Sequence, residues 1–229
     1  MLLRRVIEHV KTQNWTAVAL DFLIVVVGVF IGLQVTNWND ARGDRARRVQ
    51  VTQTLLADLQ DSRAVQHNIF IAPINDGLEE WRAAYERGAK PPPPYLRISG
   101  SGIAPDTWTM LQQEQLTELF DPVTLFDLGY YYSELQGWGH KYIRYLTFFE
   151  NEILPNLSED PSVFYTDDGQ RLKPKYAASM DRLAEIAGDG EVLRQWAGCL
   201  IYRIETKQAF NTLCRRNGYS LDGMPETKD

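Results

Sequence analysis

Apolar residues along this chain fall into one unbroken block and several periodic stripes, and the two patterns predict different surroundings. From Ala17 to Val35 the sequence AVALDFLIVVVGVFIGLQV is apolar apart from Asp21 and Gln34. Nineteen such residues, rising about 1.5 Å each, match a bilayer hydrocarbon core of about 30 Å. Trp15 and Trp38 bracket the run, as amphipathic rings do at the two membrane interfaces. A cleaved signal peptide would have a shorter apolar region, roughly 7–15 residues, and a small-residue cleavage site. Val35-Thr36-Asn37-Trp38 offers no such site, so the pattern predicts an uncleaved transmembrane helix over residues 15–38. Ahead of it, residues 1–14 set Leu2, Leu3, Val6, Ile7 and Val10 at helical spacing among Arg4, Arg5, Glu8 and Lys11. That basic amphipathic segment suits either a membrane surface or a solvated helical start.

Periodic stripes follow. No proline interrupts Thr36 to Ile71, so the span is expected to run on into a stalk within residues 39–88, with Leu55, Leu56, Leu59, Ile69 and Phe70 as its apolar side. Pro73 is expected to break or kink this helix, with a short helix following from Leu78 to Tyr85. Residues 89–104, with the run Pro91 to Pro94, read as a stiff extended linker rather than a docking motif. Within 105–229, Asp106 or Thr107 caps one helix, and Asp121-Pro122 opens another that reaches about Leu154. Leu125, Leu128, Tyr132, Leu135, Tyr142, Leu146, Phe149 and Ile153 recur on it at helical intervals. Tyr131, Trp138 and Tyr145 form an adjacent stripe, read first as core and alternatively as an aromatic groove for a ligand. Asp167-Asp-Gly169 is a turn between short extended pieces around Phe164 and Leu172. A last helical pair is expected over Lys175–Ala187 and Glu191–Arg216, stopped by Asn217-Gly218. The fold class that results is mainly α: one N-terminal transmembrane helix, then an antiparallel helical-bundle domain with a short C-terminal tail.

Charge refines the picture. Residues 1–48 hold seven Lys/Arg and four acids, leaving 17 basic and 26 acidic residues in 49–229. So acidic a domain would repel phosphate backbones, which discounts nucleic acid as a partner, while the basic residues flanking the span suit anionic lipid headgroups. Within the span, Asp21, Gly28 and Gly32 share one helical face. Gly28 and Gly32 have the GxxxG spacing that lets backbones approach, and an acid in a span usually faces protein or water. These three residues are therefore expected to mark a helix–helix contact, with Asp21 alternatively snorkelling to the interface.

Reactive chemistry is sparse. His9, His67 and His140 stand far apart, with no HExxH pattern; Glu114 and Glu118 have no Glu-x-x-His partners; there is no phosphate-cradling glycine loop, no G-x-S-x-G elbow and no CxxC. No catalytic, metal or cofactor site is therefore expected. Cys199 and Cys214, placed on one expected helix, would stand about 22 Å apart, too far to bond, and are read as buried small apolar residues.

The run Asp21 to Asp40, DFLIVVVGVFIGLQVTNWND, resembles the membrane anchor of a bacterial domain-of-unknown-function family, the one numbered six thousand and ninety. An acid, a Val/Ile/Gly/Leu span and the tail Gln34-Val-Thr-Asn37-Trp38-Asn39-Asp40 carry the resemblance, with Thr36 where the family often has Asn. Leu55, Leu56, Asp58 and Leu59, and Leu128-Gly-Tyr130-Tyr131-Tyr132, are similar too. The resemblance implies a single-pass protein of the bacterial inner membrane, with a cytoplasmic N-terminus and a helical domain on the periplasmic side. It brings no catalytic residues. Three Lys/Arg precede the span and four follow it, so the charge rule alone leaves the side open.

These readings converge on a membrane-anchored, non-enzymatic interaction or scaffold protein. Its partners would be the bilayer, further copies of itself through the span, and another envelope protein. A ligand-sensing helical domain is the alternative. A pore ringed by Asp21 fits less well, because the span offers only Asp21 and Gln34 as polar residues.

Overall fold

The computed structural model describes residues 15–95, 107–114, 116–157, 160–207 and 214. The expectations for residues 1–14, for Asp106 as a cap, for most of the tail and for Asn217-Gly218 lie outside them. The described chain is mainly helical; its one strand-like feature is an isolated antiparallel bridge between Tyr165 and Leu172.

Helix α1 spans Trp15–Val65, uninterrupted by proline. The chain divides at Gln50 into two compact units, and each is described by itself. In the first unit, α1 is long and apolar enough to cross a membrane: its most apolar stretch has a mean hydropathy of 2.5 and none of it is buried. Phe22 and Phe30 are 71% and 63% exposed, and Leu23, Ile24, Val29 and Ile31 are also uncovered.

The second unit builds the core. The C-terminal part of α1 contributes Leu55 and Leu59, both fully buried. A π-helical segment, Gln66–Ile71, joins α1 directly to α2, Ala72–Glu86. Pro73 does not break the chain's helical path as expected. It sits in the first turn of α2, and the wide turn before it, in which Ala72 N–H donates to His67 O, absorbs the change of pitch. Helicity thus resumes at Ala72 rather than Leu78.

The proline run is not a spacer. Pro91 O accepts from Trp81 Nε1 at 3.1 Å and from the Tyr165 hydroxyl at 2.9 Å, and Pro94 O accepts from the Tyr145 hydroxyl at 3.1 Å. Proline supplies no N–H donor of its own, and the half-buried polar tips of two tyrosines and a tryptophan take its carbonyls. Residues 91–95 are therefore a strap packed on the unit they were expected to hold apart.

After the short helix α3, Thr107–Leu111, come α4, Pro122–Phe148, and α5, Pro174–Thr206. Asp121 caps α4, its carboxylate accepting from the N–H groups of Val123 and Thr124 at 3.0 Å each. The helix passes through a π turn at Phe149–Ile153 and ends close to the expected Leu154. The turn expected at residues 167–169 is present, with Gly169 at φ 65°. Side-chain partners on α4 and α5 run in opposite order along the chain: Asp127 meets Arg203, and Lys141, 14 positions later, meets Glu185.

Two expectations fail on α5. First, Gly188-Asp-Gly190 does not separate two helices; α5 is continuous through it. A Cβ on Gly190 would lie 3.0 Å from Trp138 Cζ2 and 3.2 Å from Ile71 Cγ1, so this glycine serves close packing, not a break. Second, α5 stops at Thr206, where Lys207 takes the left-handed conformation at φ 52°. Cys214 bonds to Cys199 across a Cα–Cα distance of 5.8 Å. The expectation that these cysteines could not bond assumed a helix reaching Arg216. A helix ending ten residues sooner removes that obstacle and closes a covalent loop, which in chain-entropy terms contributes about 3 kcal/mol.

Candidate functional site

The residues expected to matter fall in separate places. Asp21, Gly28 and Gly32 are exposed on α1, and nothing lies within 4 Å of where a Cβ on either glycine would be. Trp15 begins α1, and Trp38 is exposed with the Arg42 guanidinium 6.0 Å from its ring centroid, in cation–π range. Tyr131, Trp138 and Tyr145 all lie in the second unit and all are buried.

Burial of these rings follows from where their polar tips find partners. The Tyr131 hydroxyl meets Ser62 Oγ and Gln66 Nε2, each at 3.2 Å. Next to it, the Tyr132 hydroxyl donates to Asp58 Oδ2 while Trp108 stacks on its ring at 4.9 Å. The Asp58 and Tyr132 motifs, 74 positions apart and separate in the sequence, thus meet through these hydroxyls. Burial pushes the Tyr131 hydroxyl up to about 12, against the opposing hydrogen bonds of Ser62 and Gln66. Burial, then the Asp58 carboxylate, raise Tyr132 further.

A second polar centre escaped the sequence reading. Asp127 is fully buried and accepts from Trp196 Nε1 at 2.9 Å, from an Arg203 guanidinium N–H at 3.0 Å, and from the backbone N–H of Cys214. A buried charge is tolerable when it is paired and hydrogen-bonded in this way. The available signal was an acid four residues before Tyr131, inside the apolar stripe of α4.

Between α4 and α5 lies a cleft of about 270 Å³, near the lower end of the range for small-molecule sites. Gly137, Trp138, Lys141 and Arg144 line it from α4, and Asp189 and Trp196 from α5. Of the aromatic stripe proposed as a groove, only Trp138 reaches it. Both indole N–H groups point inward, Trp138 to Ile186 O at 2.8 Å and Trp196 to Asp127, so the rings give the cleft apolar surface. Lys141 Nζ is pinned by Asp189 at 2.7 Å and Glu185 at 2.9 Å, and those two bonds raise its pKa above the ordinary lysine value. Among the described residues no group of three His, Cys, Asp or Glu side chains converges as a metal site would require.

Tyr131→Phe should lower stability by about 1–3 kcal/mol at neutral pH, because Gln66 and Ser62 lose a buried partner. The alkaline limb supplies a second readout. A tyrosine at about 12 in the fold and about 10 unfolded stabilises fully below pH 10 and loses that contribution as pH rises from 10 through 12. Urea unfolding between pH 8 and 12 should therefore show a shallower alkaline decline for the variant than for the native chain, and parallel declines would contradict the assignment.

Searches against family models, curated proteins and solved structures return no match for this chain.

Proposed function

We propose that this protein is a single-pass membrane protein whose α1 segment anchors it and self-associates, and whose helical domain is an interaction or scaffold module outside the cytoplasm. The observation that carries the reading is the uncovered apolar surface of α1 from Val18 to Val35. A helix apolar on all sides is stable only inside a large protein core or in a membrane. Asp21, Gly28 and Gly32 give that surface one small, polar face, which suits packing against a second copy. The opposed partner order of α4 and α5, Asp127 with Arg203 and Lys141 with Glu185, supports an antiparallel bundle for the domain.

The Cys199–Cys214 disulfide favours the oxidising side of the membrane, since such bonds persist in the periplasm and are rare in the cytosol. On this reading the N-terminus lies in the cytoplasm and the acidic domain in the bacterial envelope, with an envelope protein as its partner class. The reading is non-enzymatic, with no cofactor.

Gly28→Leu combined with Gly32→Leu should weaken self-association in detergent by about tenfold or more, measured by sedimentation equilibrium. An unchanged oligomer distribution would sink the self-association claim. Placement is checked separately by alkylating acid-quenched cells. Cys199 and Cys214 should take up reagent only after reduction; modification of both without reductant would put the domain in the cytosol.

A further inference from the structure

We propose that the α4–α5 cleft binds a small organic anion with a flat apolar body, its carboxylate-like head held by Arg144. The floor and the rim ask for different parts of such a molecule. Trp138 and Trp196 offer ring surface with no free donor, which suits an apolar body and gives nothing to a polar one. Lys141 is fixed by two carboxylates, which more than offset its charge, so it offers nothing to an anion. Arg144, one helical turn further along α4, is exposed and has no hydrogen-bonding or ionic partner among the described residues. Its planar fork of N–H donors matches a carboxylate in two-point fashion. Glu134 lines the same cleft two turns before Lys141, about 15 Å along the axis from Arg144. One end therefore attracts an anionic head and the other repels it, which fixes the direction in which the ligand lies.

Gly137 adds a second line of support. It stands within α4, where glycine costs about 1 kcal/mol relative to alanine, yet nothing lies within 4 Å of its missing Cβ. No protein neighbour demands a glycine there. A side chain at this position would instead take up space in the cleft, so its absence keeps the wall beside Trp138 low.

Three probes that share one ring system separate the requirements: 2-naphthoate, 2-naphthalenemethanol and 2-naphthylmethylamine carry negative, neutral and positive heads. Titration calorimetry on the whole chain in detergent micelles should show naphthoate binding about tenfold more tightly than either of the others. Arg144→Gln should erase that preference. Gly137→Leu should abolish binding of all three without lowering the melting temperature, and it also controls for partition into the micelle, which wild type and variant share. Equal affinity for the three heads, tighter binding of the amine, no binding of naphthoate, or binding indifferent to Gly137→Leu would each overturn the proposal. Arg144 is exposed, so its variant remains informative even if Gly137→Leu misfolds.

Discussion

Between Val18 and Val35, α1 turns valine, leucine, isoleucine and phenylalanine outward on every side, and this arrangement dictates its surroundings. Each buried methylene is worth about 0.8 kcal/mol, so leaving so many in water carries a large penalty. No described residue of the first unit covers them. Lipid would remove the penalty, and the helical form would let the backbone enter it, since the N–H and C=O groups in the interior of an α-helix are paired within it. The proposed role as an anchored module follows from this constraint, and so does the interest of Asp21: an acid among uncovered apolar residues needs protein, water or the interface nearby.

The second unit is organised by polar groups in a dry interior as much as by its aliphatic side chains. Asp127 gathers three donors from three places in the chain: a tryptophan and an arginine of α5, and the backbone of Cys214. Removing one partner from a buried pair of this kind typically costs about 3–5 kcal/mol, because the other charge is left stranded. The disulfide and this centre are mutually supporting. The covalent bond holds Cys214 beside Cys199, and the Cys214 N–H completes the shell of Asp127. The tyrosine hydroxyls of α4 play a similar part from one turn further along the helix, reaching Asp58, Ser62 and Gln66. Such directional bonds tie each helix to one register, which apolar packing alone would leave looser.

Local signals in the sequence were read well wherever local physics decides the outcome. The apolar block of α1, the Asp121-Pro122 start of α4 and the Asp167-Asp-Gly169 turn all depend on a few adjacent residues, and each stands where the pattern put it. Misreadings occurred where a distant partner decides. Gly190 looked like a helix break, but the Trp138 ring, 52 positions earlier, is what requires it. The proline run looked like a spacer because its carbonyls meet acceptor-seeking rings of Trp81, Tyr145 and Tyr165 only in the folded chain. The cysteine pair is hidden because helical periodicity does not say where a helix stops, and here a single left-handed residue, Lys207, ends it. The cleft was half visible: Trp138 stood out, whereas Arg144 and Gly137 are meaningful only once α5 supplies the facing wall.

Whether α1 lies in lipid is open to direct measurement on membranes from cells making the chain. Washing them in alkaline carbonate strips proteins held by charge and leaves those held by a spanning helix. The chain should stay in the sedimented bilayer fraction and leave it only when detergent is added. Its release into the carbonate wash, or its recovery in the soluble fraction before any wash, would contradict the account.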